Sequence, residues 1–203
     1  MGMKEKLRAV FALSAILCLP GCGKIHYPSV NDLTLVSVDV LQQSQIPGHD
    51  KFWGPGVISD PLFRVKISTQ ADFQKLARNW GYNVDNRASI CTDNSIDDTK
   101  RLGGFPSVYD RYGMIYSFHS EHPDSRIGQQ PRTVYWVYFD VRDMDNVNFY
   151  HYDLAKKPED ICLQIAGLQE VEGDFALASF RSNTIVVSRA AIAAAIDRAK
   201  IKL

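Results

Sequence analysis

Apolar and polar residues alternate from Leu33 to Leu41 ("LTLVSVDVL"), with β-branched side chains throughout, and this predicts a half-buried strand. "LFRVKIS" (Leu62 to Ser68) predicts a second strand. The period then changes: Phe73, Leu76, Ala77 and Trp80 recur at helical spacing, with Ser68 or Thr69 to cap the helix and Gly81 to stop it. From Asn83 to Gln130 the pattern weakens into polar, turn-rich sequence holding one short strand, Met114 to His119. Strands return at Arg132–Val141, Val147–Leu154 and Asp160–Gly167, separated by "RDMDN" and "AKKPE". "FALASFRSNTIVVS" adds one or two more, and Ser188 caps a closing helix whose Ile192, Ile196 and Ala195 or Ala199 form a narrow apolar face. The sum is an α+β fold: a β-rich antiparallel sheet, sandwich-like, with a mid-chain helix and a C-terminal helix.

Aromatic residues concentrate at Tyr135, Trp136, Tyr138, Phe139, Phe149, Tyr150 and Tyr152. In a strand, Tyr135, Val137 and Phe139 share one face while Trp136 and Tyr138 share the other. Both faces are therefore apolar or aromatic. Two placements fit, a central strand covered on both sides or a strand with one face left for a partner.

The first residues follow a different logic. Lys4, Lys6 and Arg8 precede an eleven-residue run from Ala9 to Leu19 that is apolar apart from Ser14. A spanning helix needs roughly 20 apolar residues, so the run suits the h-region of an export signal instead. It ends in Leu19-Pro20-Gly21-Cys22, which resembles the lipobox of bacterial lipoproteins. The resemblance implies cleavage before Cys22, acylation of Cys22 and a membrane anchor through its lipid; two or more acyl chains hold a protein stably. Gly23 and Lys24 follow where an Asp would retain the protein in the inner membrane, so the implied destination is the outer membrane, facing the periplasm. The expected organisation is residues 1–21 as signal peptide, 22–32 as lipidated Cys and flexible linker, and 33–203 as one periplasmic domain.

Cleavage of the first 21 residues from 203 leaves 182, enough for one domain with a real core. The signal takes three basic residues and one acidic with it, leaving about two net negative charges, interspersed along the chain. Such a balance excludes nucleic acid as a partner. Of four cysteines, Cys91 and Cys162 remain once Cys18 is removed and Cys22 carries lipid. In an oxidising compartment they pair across 71 residues, worth roughly 3–4 kcal/mol, or else stay buried and reduced.

Catalytic chemistry leaves few traces. The chain has no G-x-S-x-G elbow, Walker loop, G-x-G-x-x-G or H-E-x-x-H, so neither an enzyme nor a cofactor is expected. "HSEH" places His119 and His122 three apart, with His49 or His151 as a third imidazole. As a strand end running into Pro123 it turns the two rings to opposite sides, which favours loop histidines over a metal site. Asp143–Asn146 ("DMDN") lacks the Gly and closing Glu of a calcium loop and reads as a hairpin turn.

A lipobox, a small β-rich domain, "DICLQIAG" with Cys162 and "FRSNTIVVSRAAIAAAI" together are similar to the lipoprotein immunity proteins of type VI secretion, especially those paired with lipase effectors. The resemblance covers the signal and roughly the last 50 residues. It implies a non-enzymatic inhibitor that binds a cognate effector toxin, with a phospholipase as the candidate class, by obstructing its active-site entrance. A structural or assembly lipoprotein of the envelope is the alternative, and a hydrolase or ligand-binding lipoprotein a further one. Two segments suit partner binding by sequence. One is the Gly/Pro loop carrying Phe52 and Trp53, unless its Trp tucks it onto the core; the other is the acidic segment with Asp93, Asp97 and Asp98, unless that is a solvated turn.

Overall fold

A computed structural model describes residues 30–46, 61–111, 113–115, 133–143, 150–169 and 178–199. The long strand β1 (Thr34–Leu41) pairs antiparallel with β2 (Leu62–Thr69), which pairs with β6 (Thr133–Asp140) along its whole length. Every second residue of β6 faces the main core: Tyr135, Val137 and Phe139 are buried, and the Phe63 and Phe139 rings lie 5.5 Å apart across the β2–β6 ladder. The intervening Tyr138 and Trp136 face the other way. They join a second, smaller apolar cluster with Tyr109, Leu41, Ile46 and Leu62, in which the Tyr109 and Tyr138 rings meet edge-on at 4.9 Å. The aromatic β6 is thus a central strand with apolar cover on both sides.

Residues 82–110 supply two strands where only turn-rich sequence was expected. β3 (Tyr82–Ile90) buries Tyr82, Val84, Asn86, Ala88 and Ile90, a period of two whose middle position is polar. β4 (Gly104–Asp110) runs beside β6 and continues into the short β5 (Gly113–Met114). Gly104 is required there: its φ is +121°, and a Cβ would lie 2.5 Å from the Phe139 Cα. β7 (Ile161–Gln169) pairs with β3 at nine consecutive positions and carries β8 (Ala178–Arg181) and β9 (Ile185–Val187) on its far edge. The order is β1-β2-β6-β4-β3-β7-β8, antiparallel at every ladder.

The sheet curls. β3 and β4 share one paired position, Asp85 with Ser107, and on either side of that junction the halves turn inward to one core. Phe73 bridges them, 4.6 Å from the Tyr135 ring and 6.3 Å from the Phe180 ring. Each fully buried aliphatic or aromatic side chain adds roughly 1.5–3 kcal/mol, so this shared core is what holds the curl. At the far ends Val30 bridges to Ser182, and the Asn183 side chain bonds the Leu33 N–H and C=O (2.9 and 3.0 Å). Those contacts protect the outer edge of the chain leading into β1.

The described chain is mostly β, one curled antiparallel sheet accompanied by two helices, the second of them C-terminal. α1 (Phe73–Trp80) is capped not by Ser68 or Thr69 but by Asp72, which accepts from the Lys75 N–H at 2.9 Å. Ser68 and Thr69 are still paired to β6, and the Thr69 hydroxyl donates to Asp32 and accepts from the Ala71 N–H, so the ladder claims both residues. Gly81 ends α1 as expected, in the left-handed conformation with φ 65°. α2 (Arg189–Ala199) packs Ile192 and Ala195 against the core, and Ser188 caps it through the Ala191 N–H. No helix among the described residues is long and apolar enough to cross a membrane.

The expected strand over Val147–Leu154 does not form in its described part. The backbone of residues 150–154 pairs with residues 141–143 at one isolated bridge, Arg142 with Asp153, and then enters a turn. Tyr152 is nonetheless buried, its hydroxyl accepting from the Gly103 N–H at 2.8 Å. Of the short strand expected over Met114–His119, Met114 lies in β5, Ile115 follows it, and the rest falls outside the described residues.

Candidate partner-binding site

Three elements converge at one end of the curled sheet: the C-terminus of β3, the N-terminus of β7 and the N-terminus of α2. Cys91 sits one residue beyond β3, and its N–H donates to the Asp160 carbonyl at 2.9 Å. In an antiparallel ladder that placement sets Cys91 diagonal to Cys162, on the same face. The two form a disulfide with Cα atoms 5.0 Å apart, the pairing expected from the cysteine count.

Directly after the bridge the chain reverses. Thr92 and Ser95 exchange backbone hydrogen bonds (3.2 and 3.0 Å), and between them Asp93 and Asn94 adopt φ values of 51° and 58°. Asp and Asn are the non-glycine residues that best tolerate this conformation, so "TDNS" makes a tight two-residue turn. The next residues are held as firmly. The Asp97 N–H donates to the buried Ser89 hydroxyl at 2.9 Å, and its carboxylate accepts from Thr99 N–H, Thr99 hydroxyl and Thr92 hydroxyl at 2.6–3.0 Å. Hydrogen bonds from Thr99 and Thr92 hold the Asp97 carboxyl at about 2, below the usual carboxylate range. Asp98 accepts a bidentate contact from Arg87 at 2.6 and 2.7 Å.

The three aspartates expected to bind a partner therefore share one segment and have different roles. Asp97 is spent on capping its own turn. Asp98 is paired to the sheet through Arg87. Asp93 is exposed at the tip and lines a cleft of ≈ 380 Å³ with Cys91, Lys157, Glu159, Asp160 and Arg189. Phe52, Trp53 and the lipidation residue Cys22 lie outside the described residues.

Lys157, Glu159, Asp160 and Arg189 were not read as site residues from sequence. For the first three the signal is the charge run "KKPED" just before a strand, which reads as a separator between strands; Arg189 has no local signal. In the fold, Lys157 pairs with Glu159 at 3.0 Å, and that hydrogen bond raises the lysine pKa. Asp160 accepts from the Arg189 N–H at 2.6 Å, placing a carboxylate at the positive end of α2. The cleft lining thus mixes acidic and basic side chains, several of them already paired, and suits polar recognition.

Of the histidine candidates, His151 is the one within the described residues, and it is not among those lining this cleft. His151 pairs through Nδ1 with the Asp143 carboxylate at 2.9 Å, the aspartate side chain nearly fully buried and the imidazole largely exposed. His49, His119, His122 and residues 144–146 lie outside the described residues. Among the described residues no group of three or more His, Cys, Asp or Glu is placed to hold a metal.

Compared with protein-family models, with curated proteins and with solved structures, the chain matches none of them.

Proposed function

We propose that the protein is an outer-membrane-anchored periplasmic lipoprotein that binds and neutralises a cognate secreted antibacterial toxin. One observation carries the reading: an exposed acidic turn is pre-organised before any partner arrives. A disulfide lies at its root, Ser89 and Arg87 tie it to β3, and Asp97 caps it internally. A rigid projecting group loses little freedom on binding, and exposed acid speeds encounter with a basic surface. The sequence adds the lipobox-like Cys22, which would tether this turn in the compartment where a delivered toxin acts.

The experiment is a protection assay with a built-in anchor test. Cells lacking the gene should be killed by the effector encoded beside it, and the wild-type gene should restore survival. Labelled fatty acid should enter the wild-type protein and not Cys22→Ser. Survival of the deleted strain would remove the immunity reading and leave a structural envelope lipoprotein. Labelling that persists in Cys22→Ser would remove the anchor.

A further inference from the structure

The two cysteines of the Cys91–Cys162 bridge occupy unlike surroundings. Cys162 lies inside β7, fully buried, with Ser89 of β3 paired on one flank and Val186 of β9 on the other. Cys91 stands past the end of β3, is part-exposed and lines the open cleft beside Asp93 and Lys157. Thiol–disulfide exchange needs an attacking thiolate in line with the bond, so access decides which sulfur is attacked. We propose that this bridge opens by exchange at Cys91, making Cys91 a site where a small aliphatic thiol adds.

The chemistry balances with two equivalents of that thiol. The first, as thiolate, attacks Cys91 Sγ; a new S–S bond forms there and the old one breaks. Cys162 leaves as thiolate and takes a proton from water. A second thiolate then attacks the mixed disulfide, releasing Cys91 as a thiol and the small thiol as its own disulfide. Two electrons pass from the small thiols to the protein. The fold around the bond persists, because nine β3–β7 pairs and the Cys91 N–H to Asp160 bond do not depend on it. What changes is the root of the acidic turn. The inference stands on the placement of the two sulfurs and is independent of what the turn binds.

The test treats the intact protein with 2-mercaptoethanol at neutral pH without denaturant. Acid quenching, N-ethylmaleimide labelling in denaturant and peptide mapping then locate each group. The expected product carries mercaptoethanol on Cys91 and maleimide on Cys162, at least roughly tenfold over the reverse isomer, while circular dichroism stays native. Equal adducts at the two positions, or none until denaturant is added, would overturn the proposal. Single variants give a second reading in proteins checked for native dichroism. The thiol left in Cys162→Ser should react with Ellman's reagent in the native state, and that left in Cys91→Ser only after unfolding; the reverse order overturns the proposal.

Discussion

Replacing both Cys91 and Cys162 by alanine removes a cross-link that closes 71 residues. In the chain-entropy description a loop of that length restricts the unfolded chain by about 15 cal/mol/K, or about 4.4 kcal/mol at 25 °C, a little above the roughly 3–4 kcal/mol expected from the sequence. Trimming a fully buried sulfur at 162 adds on the order of 1 kcal/mol for the space it leaves. The expected loss of about 4–5.5 kcal/mol is large against a total stability of roughly 5–15 kcal/mol. For a chain of this size it lowers the melting temperature by roughly 8–20 °C. Urea unfolding of the double variant beside wild type measures it directly. Wild type that has been unfolded, reduced and kept reduced should give nearly the same curve. A difference under about 1 kcal/mol would refute the reasoning, because the bond would then not be constraining the unfolded chain.

Tyr135→Phe should cost about 1–3 kcal/mol in the same assay, since the hydroxyl accepts from the Phe73 N–H at 2.8 Å and its loss strands a buried donor at the start of α1. The Asp97 cap should weaken in acid. Its folded pKa of about 2 lies below the ordinary 3.8, so its stabilisation is full above about pH 4 and fades as the pH falls through 2. Hydrogen exchange at the Thr99 amide should follow that window in wild type and lose it in Asp97→Asn. Asp93→Asn removes the charge but keeps a side chain that tolerates the left-handed backbone at φ 51°. It should slow association with a basic partner several-fold at low salt, with little change in dissociation or melting temperature. Asp97→Lys should also loosen the turn, so it should affect both association rate and stability.

Strand periodicity made β1, β2, β6 and β7 legible, because each keeps an uninterrupted apolar face or core. Both helices were legible for the same reason at helical spacing. β3 was hidden because Asn86 stands where its inward face would otherwise be apolar; there its amide donates to the Ser107 carbonyl, a partner that only the β3–β4 junction supplies. In the described part of the strand expected over 147–154 the error is the opposite: aromatic density suggests a strand, while Tyr152 is buried from irregular backbone, its hydroxyl accepting from the Gly103 N–H. At the candidate site, the acidity of the segment carrying Asp93, Asp97 and Asp98 could be read directly. Which aspartate is left facing outward could not, since that depends on Thr92, Thr99 and Arg87 meeting the other two. Arg189 joins the cleft from far along the chain through β7 and α2, beyond the reach of any local pattern.

Calorimetric titration of the purified protein with the effector encoded beside its gene decides whether the protein is a toxin inhibitor. An inhibitor should bind one-to-one well below micromolar, and salt or Asp93→Asn should weaken the binding. A neighbouring gene that encodes no toxin, or a pair that stays apart at micromolar concentration, would contradict that role.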